Sequence, residues 1–157
     1  MIRNGVYTLY QGKEYMLGET ILENEPIKYW VKSMDSNDLA NGFYLYERPK
    51  TMIIKGVEYE LPPREIGKPN VYLKDITPSE VDEVYDVSTF GYYEGYLVVI
   101  NSERENTYCL GVPENQALAR KLGFEEIERG VLRKWVPKEK VERIFEEKRP
   151  LPHFFGL

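Results

Sequence analysis

The sequence of 157 residues predicts an α+β fold: an antiparallel β meander in the first half, and mixed strands with three short helices in the second half. Two observations carry this. The first sixty residues alternate short runs of β-branched and aromatic side chains with Gly-, Pro- and Asn-containing turns, as antiparallel hairpins require. Beyond residue 75, helix-start and helix-stop residues interrupt the strand pattern at three places.

Residues 6–10 (VYTLY) form the first strand, Gln11-Gly12-Lys13 the turn, and residues 14–17 the second strand. Residues 27–31 and 43–46 follow as strands, separated by the loop chemistry of residues 33–38 (SMDSND). Arg48-Pro49-Lys50 and Lys55-Gly56-Val57 turn the chain into strands at 51–54 and 58–61. Gly12-Lys13-Glu14-Tyr15-Met16-Leu17 and Gly56-Val57-Glu58-Tyr59-Glu60-Leu61 echo one another, and two hairpins with similar turns account for that without duplication. The Pro-rich run from Pro62 to Pro69 divides a single domain over residues 1–157 into a β-rich lobe at 1–62 and an α+β lobe at 70–157.

The first helix is expected near residues 77–86. Thr77 serves as N-cap, Pro78 takes the first helical position, Glu80 closes a capping box, and Val81, Val84 and Tyr85 supply an apolar face. Tyr96 to Ile100 and Thr107 to Gly111 pair around a charged turn. A second helix at 114–122 stops at Gly123. Residues 124–127 and 131–136 make a hairpin around Glu128-Arg129-Gly130. Pro137 opens the last helix, in which Val141, Ile144 and Phe145 share one face.

Composition excludes several function classes. Hydrophobic residues make up 42% and charged residues 30%, which describes a globular chain rather than a disordered one. No apolar run approaches the roughly 18 residues of a membrane span, and the N-terminus lacks the apolar core of a signal peptide. With one cysteine, Cys109, no internal disulfide or cysteine zinc site forms, and a cytoplasmic protein is the expectation. Cys109 reads as a buried thiol, and Trp30 and Trp135 as core or sheet-face residues. The single histidine, His153, lies in a Pro-rich terminal segment, so no triad, Cys–His dyad or histidine metal site is expected. No catalytic residue, metal or cofactor is assigned.

The charge is unevenly placed. Between Lys74 and Arg120 stand nine carboxylates and one base, a net −8, against zero for residues 1–74. Such a field disfavours phosphate and direct nucleic-acid binding. Tyr85, Tyr92, Tyr93, Tyr96 and Tyr108 lie among these acids, and acids beside aromatic anchors suit a face for a basic protein. The expected contact residues are Asp82, Glu83, Asp86, Tyr92, Tyr93, Glu94 and Tyr96.

Residues 115–126 (NQALARKLGFEE) resemble the late helix–strand element of GCN5-related acetyltransferases. That resemblance implies an acyl-CoA-dependent transferase. The family's basic, Gly-rich pyrophosphate loop should lie just upstream, and it is absent from residues 102–114. Size, acidity and the tyrosine-rich pattern resemble the small immunity proteins of bacterial toxin systems. That resemblance implies a non-catalytic module that occludes a basic toxin domain, without membrane or nucleic-acid contact. A self-associating module that pairs through its sheet edges is the third expectation.

Overall fold

A computed structural model of the chain describes residues 2–63, 67–113 and 115–156. Two compact units divide it, residues 8–82 and residues 2–7 together with 83–156, and each of the two boundaries falls inside a strand. Among the described residues there are thirteen strands, one short α-helix and three single 3-10 turns.

In the first unit, β1 (Gly5–Tyr10) turns through Gln11 (φ 50°) and Gly12 (φ 78°) into β2 (Lys13–Thr20). Two successive positive φ values make a two-residue hairpin turn whose twist matches the strands, and glycine meets that demand without strain. Next come β3 (Lys28–Ser33), a 3-10 turn over Ser36–Asn41, and β4 (Tyr44–Leu45). The separate hairpin of β5 (Thr51–Ile54) and β6 (Val57–Glu60) precedes β7 (Tyr72–Ile76). The sheet order is β1-β2-β3-β7-β4, all antiparallel where register is defined. Tyr10, Tyr15, Leu17, Val31, Phe43, Tyr72 and Ile76 fill its core, and the Tyr15 and Phe43 ring centroids lie 5.2 Å apart.

The second unit is built from β8 (Val81–Tyr93), β9 (Tyr96–Arg104) and β10 (Thr107–Gly111), then α1 (Gln116–Lys121) and β11 (Glu125–Glu128). It closes with β12 (Val131–Pro137) and β13 (Val141–Pro150). The order β8-β9-β10-β12-β11 repeats that of the first unit, and β13 pairs with β8. Tyr93, Val98, Ile100, Leu110, Leu122, Phe124 and Val136 pack together as its core. β9 pairs with β8 only over residues 90–93. At the next position the Asn4 side chain takes over: its Oδ1 accepts from the Thr89 N–H (2.9 Å), and its Nδ2 donates to the carbonyls of Ile100 (2.8 Å) and Asn101 (3.2 Å). One amide thereby satisfies three backbone groups that the end of the ladder would leave unpaired.

The correspondence between the units reaches individual bonds. Tyr10-Gln11-Gly12 is matched by Tyr93-Glu94-Gly95, with both tyrosines buried and with φ values of 50° and 81° in the second turn. Gly42 and Gly123 both end a helical turn at positive φ, and the next residues, Phe43 and Phe124, enter the cores. The Phe43 N–H donates to the Asp38 carbonyl and the Phe124 N–H to the Ala119 carbonyl, the same step in each chain segment. Tyr44 and Leu45 face Leu73 and Tyr72, as Glu125 and Glu126 face Arg133 and Leu132.

A lysine closes both plans. Lys74 Nζ donates to the Asn41 carbonyl (3.2 Å) and lies 5.7 Å from the Tyr10 ring centre. Lys134 Nζ donates to the Leu122 carbonyl (2.9 Å) and the Tyr93 hydroxyl (3.1 Å), and lies 5.2 Å from the Tyr93 ring centre. A cation at the negative end of a helical turn and over an aromatic face is favoured twice over. The echo between residues 12–17 and 56–61 is shared turn chemistry, since Lys55 and Gly56 adopt φ values of 50° and 79°. The recurring plan lies elsewhere.

The expected α+β class is overturned: the chain is mostly antiparallel strand, and the second half does not hold three helices. At Thr77 the capping box forms as expected, but it starts only the 3-10 turn Pro78–Glu80. The following Val81-Asp82-Glu83-Val84-Tyr85-Asp86-Val87 is poor in helix formers, and its odd positions are buried from Tyr85 onward, the period of a strand. Pro137 likewise opens one 3-10 turn, Lys138–Lys140, before β13. The helix-like spacing of Val141, Ile144 and Phe145 comes from a β-bulge. Val141 and Phe145 pair with Tyr93 and Phe90, so the strand holds one extra residue there, and Arg143 takes φ 53°. Only α1 forms near its expected place and ends at Gly123; the expected first residue, Glu114, lies outside the described residues.

Replacing Lys134 by Met should cost about 1–2 kcal/mol in urea unfolding, through the lost carbonyl contact and ring contact. Lys74→Met should cost a similar amount. Unchanged midpoints in both variants would dismiss the lysines as structural keys. On β2, Gly18 lies directly beneath the Trp30 ring, where any Cβ would collide with it. Gly18→Val should therefore displace Trp30, read as a red shift of tryptophan emission together with a lower melting temperature.

Candidate functional site

The seven residues expected to meet a partner lie on or just beyond β8, and the pleat of that strand sends them in different directions. Tyr93 is buried in the core under Lys134. Tyr92, its neighbour, points the other way and is half-buried against Phe145, with Arg143 over its ring at 5.8 Å. Asp86 shares the parity of Tyr92 and Asp82, and Glu83 that of Tyr93. Asp82 belongs to the first unit. Glu94 is exposed at the turn, and Tyr96 is 38% exposed just after it. Strand geometry thus distributes these side chains over two faces and a turn.

Folding also neutralises part of the acidic stretch. Arg149 reaches Asp86 at 3.4 Å, Lys138 reaches Glu103 at 2.8 Å, and Lys28 reaches Asp75 at 3.0 Å. The Lys138 bond, the Ile2 N–H and the Lys138 charge hold the Glu103 carboxyl below the usual range, against a smaller effect of burial. Counted by folded unit, residues 8–82 carry thirteen acids and nine bases. Asp75, Glu80 and Asp82 supply three of that unit's net −4, so the boundary between the units splits the acidic segment.

In that unit, acids and apolar side chains meet on the β2–β3 loop. Ile21 is 69% exposed, Leu22 53% and Ile27 46%, with Glu19, Glu23 and Glu25 exposed among them. Pro26 and the two-residue approach to β3 keep this loop out of the ladder. A groove of about 380 Å³ runs beside it, walled by Leu22, Pro26, Ile27, Ile76 and Pro78 and carrying Glu25 and Asp75. Asp75 accepts from the Tyr44 hydroxyl at 3.0 Å as well as pairing with Lys28, so its position is fixed from two sides. The sequence signal for this site was the Ile-Leu-Glu-Asn-Glu-Pro-Ile run at 21–27, in which apolar and acidic residues mix without strand alternation.

A buried carboxylate sits under the same unit. Asp38, only 3% exposed, accepts from Ser33 Oγ (2.6 Å), Asn41 Nδ2 (2.9 Å) and the Tyr15 hydroxyl (3.0 Å). Burial raises its pKa, but those three bonds and the Lys13 charge outweigh burial and hold it below the ordinary value. Burial, then the bond and charge of Asp38, pushes the Tyr15 phenol up to about 12. With its oxygens committed to three donors, Asp38 anchors the 3-10 turn beneath the sheet, the job that apolar Ala119 does in the second unit.

The run that resembles an acetyltransferase element, residues 115–126, closes with the same bonds as the first unit's turn: Gly123 to Arg120 and Phe124 to Ala119, as Gly42 to Leu39 and Phe43 to Asp38. Its Leu-Gly-Phe is the glycine end of a helical turn that the chain uses twice. Cys109 is buried in β10, and Trp135 is 41% exposed beneath the Arg104 guanidinium. Among the described residues no three His, Cys, Asp or Glu side chains converge as a metal site requires, and no helix is long and apolar enough to cross a membrane.

A family model matches residues 2–153, and the chain belongs to that family, described as uncharacterised conserved protein UCP033725. The match spans both units. No curated protein and no solved structure matches the chain.

The Asp38 cluster makes a pH-dependent contribution. A carboxyl whose folded pKa is lowered stabilises fully above the unfolded value near 4, and that stability is lost as pH falls through the folded value. Asp38→Asn should flatten the acid limb of a stability–pH profile. Asp38→Ala should cost about 2–3 kcal/mol, because the Tyr15 and Ser33 hydroxyls lose their acceptor. At the alkaline end the raised Tyr15 pKa acts in the opposite sense: its contribution is full below about pH 10 and declines toward 12.

Proposed function

We propose that the protein is a non-catalytic protein-binding module that meets a basic partner at the β2–β3 loop groove. The carrying observation is the contiguity of exposed Ile21, Leu22 and Ile27 with exposed Glu19, Glu23 and Glu25. Apolar side chains supply contact area once water is expelled, and the surrounding acids raise the encounter rate with a positive surface and select its orientation. The net −4 of this unit, thirteen acids against nine bases, favours the same class of partner.

In its sharpest form this is the behaviour of an immunity protein, which blocks a cognate basic toxin domain by covering it. That form rests on the acidity, the small size and the apolar-acidic loop, and its site lies on the first unit rather than at residues 82–96. Occlusion needs no catalytic group, only a rigid platform, and the paired ladder on either side of the loop provides one.

The test begins with affinity capture of partners by the tagged protein, followed by binding kinetics with the captured protein. Association should be fast and should slow steeply with added salt. Glu19→Lys, Glu23→Lys and Glu25→Lys together should weaken binding at least about tenfold, mainly through the on-rate, and Leu22→Ala should raise the off-rate. A captured partner whose affinity is indifferent to all four changes would overturn the groove assignment.

A further inference from the structure

The second unit is the plainer copy of the plan, and it shows what the first unit adds. Between β11 and β12 the second unit turns through Arg129 and Gly130, where the first carries residues 46–71, including the β5–β6 hairpin. Between β9 and β10 it needs only Glu105 and Asn106, where the first spends residues 21–27 between β2 and β3. The β2–β3 loop, with its groove, is therefore not needed to build the sheet.

Strand register fixes which residues stand at the same corner of the two units. Lys74 and Lys134 correspond, so the next residues, Asp75 and Trp135, do as well. Asp75 pairs with Trp30, and Trp30 with Gly18; Trp135 pairs with Cys109, and Cys109 with Ser102. Two residues further on, Thr20 pairs with Lys28 and Arg104 with Thr107. Thr20 of the first unit thus stands where Arg104 stands in the second. The Arg104 guanidinium fills its corner, lying 4.3 Å from the Trp135 ring centre. Thr20 is too short to do so; its Oγ1 accepts from Trp30 Nε1 at 3.0 Å, and the corner opens into the groove of about 380 Å³.

We propose that this groove takes an arginine side chain of the partner, paired to Asp75. The inference rests on the reading of the groove as the partner site and names the group that enters it. The second unit supplies a precedent, since its own arginine occupies the equivalent corner. Charge agrees: among the residues that line the groove, Glu25 and Asp75 face a single cation, Lys28. Leu22, Pro26 and Ile27 can carry the methylene stem while the guanidinium reaches the carboxylate. Asp75 is set for it. Its Oδ1 accepts from the Tyr44 hydroxyl (3.0 Å), and each carboxylate oxygen has a second lone pair, so a two-pronged guanidinium is accepted without breaking that bond. Lys28, 3.0 Å from Oδ2, is displaced. Both side chains of that pair are about half exposed, and an exposed ion pair contributes little, so the exchange costs little. A lysine of the partner would only replace one ammonium by another, which is why the planar fork is favoured.

The probe is a blocked tripeptide with a central arginine, titrated into the intact, isotope-labelled chain and followed by NMR. Saturable shifts should appear at Thr20, Ile27, Lys28 and Asp75, with roughly millimolar affinity. The matching lysine peptide should bind at least about tenfold more weakly, and a norleucine peptide should leave these signals in place. Asp75→Asn keeps an acceptor for Tyr44 and should weaken the arginine peptide at least about tenfold. Lys28→Met removes the competing ammonium and should tighten it about threefold. The remaining amide signals check that both variants keep the fold. No saturable shift, equal affinity for the arginine and lysine peptides, or an affinity indifferent to Asp75→Asn overturns the proposal. A captured partner that depends on Leu22 and Glu25 but binds the Asp75→Asn variant undiminished also overturns it, and leaves the partner site standing. An arginine peptide held at Asp75 while the captured partner ignores Leu22 does the reverse.

Discussion

A lysine ammonium resting on the last carbonyls of a helical turn and over a buried tyrosine ring holds each half of this chain in its plan. It joins three parts that are distant in sequence: the end of the first strand, the turn that follows the third, and the strand that returns beside it. The turn alone is six residues in either unit, too short to persist by itself. Its carbonyl end needs a donor, its buried phenylalanine needs the sheet, and its glycine needs room for the approaching ammonium, which comes within 2.7 Å of a would-be Cβ at Gly42. These requirements are met by one geometry, and the chain uses it twice with different interior chemistry. The first unit places a hydrogen-bonded carboxylate under the turn where the second places alanine.

That difference has consequences for stability. The apolar solution depends only on packing, whereas the ionised Asp38 needs its three donors for its burial to be tolerated. The first unit holds this buried carboxylate. It is also the unit that bears the inserted hairpin, the acidic loop and most of the negative charge. The inserted hairpin and the apolar-acidic loop thus lie on one half, and the other keeps a plainer version of the same plan.

Much of the strand pattern was legible residue by residue. The hairpin turns at Gln11-Gly12 and Lys55-Gly56, and the glycine stop at Gly123, appear where local chemistry places them. The helices at 77–86 and after Pro137 did not form, because a cap fixes how a helical turn begins but not whether it continues. Val81, Val84, Tyr85 and Val87 gain more from a pleated surface than from a helix. The bulge at Arg143 then imitated a helical spacing that no one-dimensional pattern can separate from a real one. The acidic stretch was legible as charge but not as a face. Its counterions, Lys138 and Arg149, lie far along the chain, and the pleat sends Tyr92 and Tyr93 to opposite sides.

The sequence by itself determined the local events: turn types, caps and the net charge. Each depends on neighbours within a few residues, where steric and hydrogen-bonding preferences are decided. Only the tertiary structure decided which acids keep their charge exposed, that the same strand order occurs twice, and that the hairpin and the β2–β3 loop are the pieces without a counterpart. Those facts rest on contacts between residues tens of positions apart. Few identities survive in them, because a buried tyrosine, a glycine stop and one lysine are enough to restate the plan.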